Sequence, residues 1–264
     1  MSTVLSILDS CLLIVRPMSE VFLSIIIPAY NEERRISNTL DEFIKYLTRQ
    51  DYTYEIIIVD DGSTDNTWDL LVNYSTKYNF IKIIRNAKNM GKGYSVRRGI
   101  EEAKGEYILF SDADLAVRPE HVCLIIKELG KGVDIVIGSR AAEGAEIEAP
   151  QPKLRGRFGR LFNSIVKRFI IHDFLDTQCG FKGFKANVAK TICKEQTLCG
   201  YCFDIEILLI AQKNRYTIKE VPVIWNDKEG SKLSIADAPN ILMELVKLRI
   251  NKTKGVYSRA DDKK

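Results

Sequence analysis

The chain is poor in histidine, which occurs only twice, and its six cysteines are scattered along the sequence. Cys199-Gly200-Tyr201-Cys202 is a lone CxxC pair without a second pair. A structural zinc site takes four such ligands, and a disulfide framework is typical of short secreted chains, so neither is indicated. The cysteines are therefore predicted to be reduced thiols that serve packing.

Long apolar runs are also missing. No stretch approaches the ~18 to 20 residues that a bilayer-spanning helix requires, so the sequence predicts no transmembrane segment. Residues 1–20 are interpreted as a short leader, and a signal peptide is disfavoured because they have no basic start and contain Asp9. Met18 offers a second point of initiation.

Two glycine signatures of nucleotide-binding proteins are absent as well. The first apolar strand leads into Pro28-Ala29-Tyr30-Asn31-Glu32, which has no glycine, and this disfavours a Rossmann dehydrogenase. The turn at residues 89–93 lacks Walker A spacing, so ATP hydrolysis is not indicated. A formal net charge of +4, with no exposed aromatics interleaved among the basic residues, gives no reason to expect nucleic-acid binding.

What the sequence does contain is a regular alternation of apolar strands and amphipathic helices. Strands are predicted at residues 21–27, 54–59, 80–84, 107–110, 133–137 and 216–225. Strand–helix alternation over the first five predicts an α/β fold with a doubly wound, mostly parallel sheet. Residues 21–238 are assigned to this domain, residues 141–152 to a polar loop within it, and residues 239–264 to an amphipathic helix and basic tail.

Carboxylates follow two of these strands. Asp112 and Asp114 are two residues apart on an extended segment, so both can face one crevice at the carboxyl edge of the sheet. Mg²⁺ or Mn²⁺ bound by one or two carboxylates and completed by diphosphate oxygens suits this pair. The alternative is that both are turn residues before Pro119.

A second acidic pair, Asp60-Asp61, ends the strand at 54–59 and suits hydrogen bonds from a base edge or from ribose hydroxyls. The equally good alternative is loop capping, with Asp65 at a helix N-terminus. Residues 89–93 are expected to bring backbone N–H groups near a nucleotide, with Lys92 as a cation.

Residues 153–172 carry six basic side chains and no acid, with apolar residues at helical spacing. This composition is typical of an amphipathic helix on an anionic membrane surface. The alternative is a solvated helix with its apolar face in the core.

Five motifs occur in an order and spacing that resemble the family-two inverting glycosyltransferases, which have the GT-A fold. They are Pro28-Ala29-Tyr30-Asn31-Glu32, Asp60-Asp61-Gly62-Ser63-Thr64-Asp65, Asn89-Met90-Gly91-Lys92-Gly93, Asp112-Ala113-Asp114 and Gly138-Ser139-Arg140. The segment from Asp176 to Lys182 narrows the likeness to the polyprenyl-phosphate sugar transferases. That resemblance implies metal-dependent transfer of a hexose to a polyprenyl or dolichyl phosphate by a peripheral protein at the cytoplasmic membrane face. UDP-glucose is the expected donor ahead of GDP-mannose.

The resemblance also implies roles for individual residues. The nucleotide-sugar would be bound by Pro28, Tyr30, Glu32, Asp60, Asp61, Lys92, Asp176 and Gln178. Catalysis would rest on Asp112, Asp114 and Asp204, with the metal held by Asp112 and Asp114. The acceptor phosphate would be received by Arg140, Arg155 and Arg160. The sequence departs from the family in two places. Relatives carry membrane anchors that this sequence does not show, which concerns membrane attachment. Gly159 stands before Arg160 where the family often has serine, which concerns the contacts to the acceptor phosphate.

Two other functions stay open on the sequence alone. One is a soluble family-two glycosyltransferase that acts on a saccharide or protein hydroxyl. The other is a nucleotide-sugar-binding protein without turnover. Physical reasoning leaves the donor sugar, the length of the polyprenol, the choice of Mg²⁺ or Mn²⁺ and the oligomeric state undecided.

Overall fold

Runs of β-branched residues form the strands, and most of them carry apolar side chains on both faces. The computed structural model describes residues 20–149, 166, 168–226 and 238–257. Within them the strands are β1 Leu23–Ala29, β2 Tyr54–Asp60, β3 Ile81–Arg85, β4 Tyr107–Ser111, β5 Ile135–Ser139, β6 Glu146–Ala149, β7 Phe181–Lys185, β8 Ile218–Pro222 and β9 Ile224–Asn226. The helices are α1 Ile36–Leu47, α2 Thr67–Lys77, α3 Lys92–Glu102, α4 Val122–Gly130, α5 Ala186–Glu195, α6 Phe203–Lys213 and α7 Ala238–Thr253, and a 3-10 turn at Pro119–His121 precedes α4.

The main sheet has the order β3-β2-β1-β4-β7-β5-β8. All its neighbouring strands are parallel except at β7, which runs antiparallel to both β4 and β5. Strands β6 and β9 form a small second sheet. The prediction of a doubly wound, mostly parallel α/β sheet is therefore confirmed.

The core lies on both faces of this sheet. In β1, Ile25 and Ile27 belong to one apolar cluster and Ile26 to the other, as the two-residue period of a strand requires. From α7, Leu245 and Leu248 are buried in the second cluster. The five cysteines of the described residues are free thiols.

Three sequence-based assignments need correction. Residues 141–152 were expected to be a polar loop, but Glu146–Ala149 form β6 because they pair with β9. The predicted strand at 216–225 is divided at Val223 into β8 and β9. Strand β7 had not been predicted, because short runs interrupted by glycine and lysine give a weak period-two signal. The amphipathic helix expected at 153–172 lies almost wholly outside the described residues.

Among the helices of the described residues, none combines the length and the apolar character that crossing a membrane requires.

His121 is buried and joins the turn before α4 to β9. Its Nδ1 lies 3.2 Å from the carbonyl oxygen of Arg118, and its Nε2 accepts a hydrogen bond from the backbone N–H of Ile224 at 3.0 Å. Burial lowers the pKa of this imidazole, so the neutral ring is the one that the fold holds.

We expect the fold to lose stability as the pH falls through ~6.5, the ordinary value for histidine. Because the folded-state pKa lies lower, the unfolded chain binds the extra proton first, and the linkage amounts to at most about 1.4 kcal/mol per pH unit. Urea unfolding at pH 7.5 and 5.5 measures this slope. His121→Gln, which keeps an acceptor but cannot titrate, is expected to flatten the slope, and an unchanged slope would contradict the assignment.

Candidate active site

Asp112 lies directly after β4, at the carboxyl edge of the sheet. Its backbone N–H donates to the carbonyl oxygen of Gly180 at 3.1 Å, which fixes the segment before β7 against the strand tip. A Cβ on Gly180 would lie 2.0 Å from Oδ2 of Asp112. Glycine at 180 is therefore what lets the Asp112 carboxylate lie against this segment.

Lys92, the first residue of α3, reaches the same point. Its Nζ lies 2.6 Å from Oδ1 of Asp112 and 5.8 Å from the centre of the Phe203 ring. Burial by itself would lower the pKa of this amine, but the charges of Asp112, Asp204 and Asp114 raise it above its ordinary value. The ammonium form is therefore held firmly, and it offers a fixed positive charge to an anionic ligand.

Asp114 completes the acidic pair. Its Oδ1 accepts a hydrogen bond from the Ala116 N–H at 3.0 Å, and Leu115 between them adopts a left-handed φ of 56°. Burial, and then the charge of Asp112, raise the pKa of Asp114. Two acids and one lysine thus leave the cluster with an excess of negative charge, which favours a bound cation.

The donor set fits Mg²⁺ or Mn²⁺ in a particular way. Among the described residues no group of three or more acidic, histidine or cysteine side chains converges. Within the part of the chain that the structure describes, an ion would therefore be held by Asp112 and Asp114, and the remaining ligands would come from diphosphate and water. This is the usual manner in which Mg²⁺ binds with a phosphorylated substrate.

Asp60, at the end of β2, is fully buried beside a cleft of about 460 Å³. Its Oδ1 accepts from the Ser63 N–H at 3.2 Å, and its Oδ2 lies 3.1 Å from Nε of Arg85. The Arg85 guanidinium in turn stacks 4.9 Å from the Trp68 ring. The cleft is lined by Gly62, Ser63, Thr64, Arg85, Asn86 and Ala87.

Asp61 has a different environment, because both its oxygens are taken up inside the protein. Oδ1 accepts from Nδ2 of Asn86 at 2.7 Å and from the Met90 N–H at 2.8 Å, and Oδ2 accepts from the Gly91 N–H at 2.8 Å. The backbone donors at 90 and 91 thus face Asp61, and they are taken up inside the protein rather than offered to a nucleotide. Asp61 instead holds the turn that presents Lys92.

The predicted nucleotide-binding residues of the first strand and its loop are Pro28, Tyr30 and Glu32. Pro28 lies within β1, and Tyr30 is partly exposed beyond its end. The Glu32 carboxylate is engaged by Arg35, whose Nε and Nη2 each donate at 2.8 Å. Asn31, with a φ of 53°, receives the Thr64 N–H on Oδ1 at 2.8 Å. The loops after β1 and β2 are therefore bound together.

Arg140 and Asp176, predicted for different substrates, form one ion pair. Nε of Arg140 lies 2.6 Å from Oδ2 of Asp176, and Nη2 lies 2.8 Å from Oδ1. Burial would raise the pKa of Asp176, but hydrogen bonds and charge from Arg140 lower it. The Gln178 N–H also donates to Asp176, at 3.1 Å. Arg155 and Arg160, the other predicted phosphate ligands, lie outside the described residues.

Asp204, predicted to be catalytic, lies in the first turn of α6 and is almost fully buried. Its Oδ1 is 2.5 Å from Nζ of Lys182, which is completely buried in β7 and also donates to the Cys179 carbonyl at 2.6 Å. Sequence reasoning gave Lys182 no such role. The available signal was a lysine within Phe181-Lys182-Gly183-Phe184, because a cation in a buried strand needs a buried partner.

Known proteins resemble this chain over most of its length. A model of the family described as "Glycosyl transferase family 2" matches residues 24–193. A dolichyl-phosphate β-glucosyltransferase of Trichomonas vaginalis is 38% identical over 258 residues, which span 92% of this chain and 75% of that protein. The enzyme of the same name from Saccharomyces cerevisiae is 36% identical, over 93% of this chain and 78% of its own length.

Solved structures share the architecture at much lower identity. Glucosyl-3-phosphoglycerate synthase from Mycobacterium tuberculosis, solved with Mn²⁺, UDP-glucose and phosphoglyceric acid, superposes with a TM-score of 0.66. The match covers 88% of this chain and 79% of that chain at 17% identity, which establishes the common GT-A fold. Because the family model matches more than half of the chain and the relatives match most of it, the chain belongs to the family-two glycosyltransferases.

Proposed function

We propose that this glycosyltransferase moves glucose from UDP-glucose to dolichyl phosphate, with inversion, at a membrane surface. The observation that carries the proposal is the identity of 35–38% to dolichyl-phosphate β-glucosyltransferases over most of the chain. The crevice supports the reaction class, since it joins two carboxylates, a fixed lysine cation and an arginine. The choice of glucose rests on the relatives.

The acceptor chemistry agrees with the residues of the site. A phosphate monoester has its second pKa near ~6, so its oxygen is already mostly ionised at neutral pH and needs little help from a base. Asp204, the residue predicted to face the reaction centre, is engaged by Lys182 at 2.5 Å. The site needs cations to hold a dianion near carboxylates, and Arg140 supplies one beside Asp176.

The divalent ion is assigned to Asp112 and Asp114. When bound it would supply Lewis acidity to the departing diphosphate. Lys92, held by Asp112, adds a positive charge on the donor side of the same crevice. The cleft beside Asp60, which is lined by residues 62–64 and 85–87, is proposed to receive the nucleoside. Pro28, Tyr30, Glu32 and Asp61 are proposed to bind it from the adjoining strand ends and loops.

The decisive assay is transfer of label from UDP-glucose and, separately, from GDP-mannose to dolichyl phosphate in detergent, with and without EDTA. Label that enters the lipid from UDP-glucose only, and only with Mg²⁺ or Mn²⁺, supports the proposal. Label from GDP-mannose overturns the donor assignment. Slow donor hydrolysis without lipid labelling overturns the acceptor and favours a saccharide or protein hydroxyl.

Helix α7 supports attachment to a membrane. Leu242, Met243, Val246 and Ile250 expose 44–63% of their surface along one side of it. The helix also carries three basic residues, Lys247, Arg249 and Lys252, against one acid. An exposed apolar side with basic neighbours suits an anionic bilayer.

We expect Leu242→Glu/Val246→Glu to reduce sedimentation with vesicles that contain anionic lipid by about tenfold, because each exposed apolar side chain adds binding through its buried area. Val72→Glu on α2, where Val72 is 38% exposed, is the matched control and is expected to bind as before. Equal binding by the wild type, the α7 double variant and Val72→Glu would remove α7 from the proposed membrane contact.

A further inference from the structure

A short segment outside the proposed substrate contacts lies against the first turn of α3. Residues 196–202, here called the strap, connect α5 to α6. The Cys199 carbonyl accepts from the Tyr94 N–H at 3.2 Å, and Nε2 of Gln196 donates to the Gly93 carbonyl at 3.0 Å. The strap therefore contacts the two residues that follow Lys92.

The strap is closely packed against the turn at residues 89–93. Gly91 has a φ of 100°, and a Cβ there would lie 2.3 Å from the Cys199 carbonyl oxygen. A Cβ on Gly93 would lie 2.6 Å from Cβ of Phe203, the residue that follows the strap. Because Gly91 packs closely against the Cys199 backbone and Gly93 against the Phe203 side chain, a displacement of the strap is expected to displace the turn that carries Lys92.

The other side of the strap is held from α7. Oε1 of Glu244 accepts from the Gly200 N–H at 2.9 Å, and Oε2 accepts from the Cys202 N–H at 2.9 Å. Both oxygens of the only acid in α7 thus point inward to backbone donors. Paired charge-assisted bonds of this kind fix a loop more firmly than neutral ones do.

We propose that Glu244 is a positioning residue for donor binding, which acts through the strap on Lys92. The inference rests on the proposed function in one respect, namely that Lys92 meets the diphosphate of the nucleotide. The Glu244 carboxylate contacts the backbone of the strap. Its contribution is to keep the amine of Lys92 where Asp112 and the diphosphate can share it, as supporting residues do in preorganised sites.

The test is a double-mutant cycle on UDP binding, measured by calorimetry with Mg²⁺ and well below the melting temperature. Glu244→Ala is expected to weaken UDP binding about tenfold, and Lys92→Ala by at least as much. The double variant is expected to bind no more weakly than Lys92→Ala, because the effect of Glu244 passes through that lysine. Multiplied losses in the double variant would overturn the proposal.

Glu55→Ala is the control for a purely structural loss. The Glu55 carboxylate also accepts two hydrogen bonds, from Ser24 Oγ at 2.5 Å and the Lys104 N–H at 2.7 Å, at the amino edge of the sheet. Glu55→Ala is expected to lower the melting temperature while UDP binding stays unchanged. Glu244→Ala with an altered melting temperature but wild-type UDP affinity would overturn the proposal.

A milder variant keeps the test decisive where the alanine protein does not fold. Glu244→Gln retains one acceptor oxygen and is expected to weaken UDP binding about threefold, whereas wild-type affinity contradicts the proposal. Failure of the donor assignment gives a separate signature, in which the wild-type protein binds GDP rather than UDP. The same cycle run with GDP then decides the role of Glu244.

Discussion

Replacing Asp114 by asparagine is expected to lower sugar transfer by about 10²–10³-fold or more, the scale seen when a fixed electrostatic group leaves a reaction centre. Asparagine keeps the shape of the side chain and an oxygen for the Ala116 N–H, so the loop conformation is retained. What disappears is one of the two charges assigned to the metal. The measurement is label transfer from UDP-glucose to dolichyl phosphate at saturating Mg²⁺.

The thermal stability of Asp114→Asn is expected to be retained or to rise, although its transfer activity falls. Burial and the charge of Asp112 raise the pKa of Asp114, so at neutral pH its ionised form costs the folded state free energy. Asp114→Asn removes that cost, and its melting temperature is expected to equal or exceed that of the wild type. Asp69→Asn, at an exposed position in α2, is the matched control and should change neither property. Transfer above a tenth of the wild-type rate in Asp114→Asn would contradict the assignment.

The second large effect concerns Lys182. Lys182→Met is expected to destabilise the fold by about 3–5 kcal/mol, because it leaves the Asp204 carboxylate buried without its cation. Asp204→Asn, which leaves the Lys182 ammonium buried without its carboxylate, is expected to destabilise the fold by a similar amount. The double variant Lys182→Met/Asp204→Asn buries no charge at this point and is expected to be more stable than either single variant. Urea unfolding of the four proteins measures the coupling.

Transfer by the same proteins bears on the acceptor. If the nucleophile is a phosphate oxygen, the double variant is expected to keep clearly more transfer than Asp114→Asn, because no base is needed. Complete loss in both, with UDP binding intact, would favour an acceptor hydroxyl that must be deprotonated. A double variant no more stable than Lys182→Met would show that Asp204 and Lys182 are not coupled.

The sequence was informative where chemistry follows from local pattern. Asp112 and Asp114 could be found because parallel strands bring their carboxyl ends to one edge, and Lys92 because it opens a helix after a glycine turn. Arg140 and Asp176 could be listed but not joined, since their bidentate pairing depends on how two segments 36 residues apart meet. Asp61 looked like a ligand-binding acid, and only tertiary contacts show that it binds the turn at 86–91.

The direction of strand β7 was also beyond prediction from the sequence. Alternating strands and helices predict parallel neighbours, and nothing in Phe181-Lys182-Gly183-Phe184 indicates a reversed strand inserted between β4 and β5. That reversal is what places Gly180 against Asp112 and Lys182 beside Asp204. The charged residues of the crevice were therefore predictable as a set, whereas the groups that orient them were not.

The strap extends the part of the chain that donor binding is proposed to require. The family model ends at residue 193, before the strap and well before Glu244. A fragment cut at that boundary would keep Asp112, Asp114 and Lys92, yet it would lose the surface on which Gly91 rests. Engineers who shorten or swap the C-terminal helix should therefore expect altered nucleotide affinity, even though every residue of the recognised motifs is left untouched.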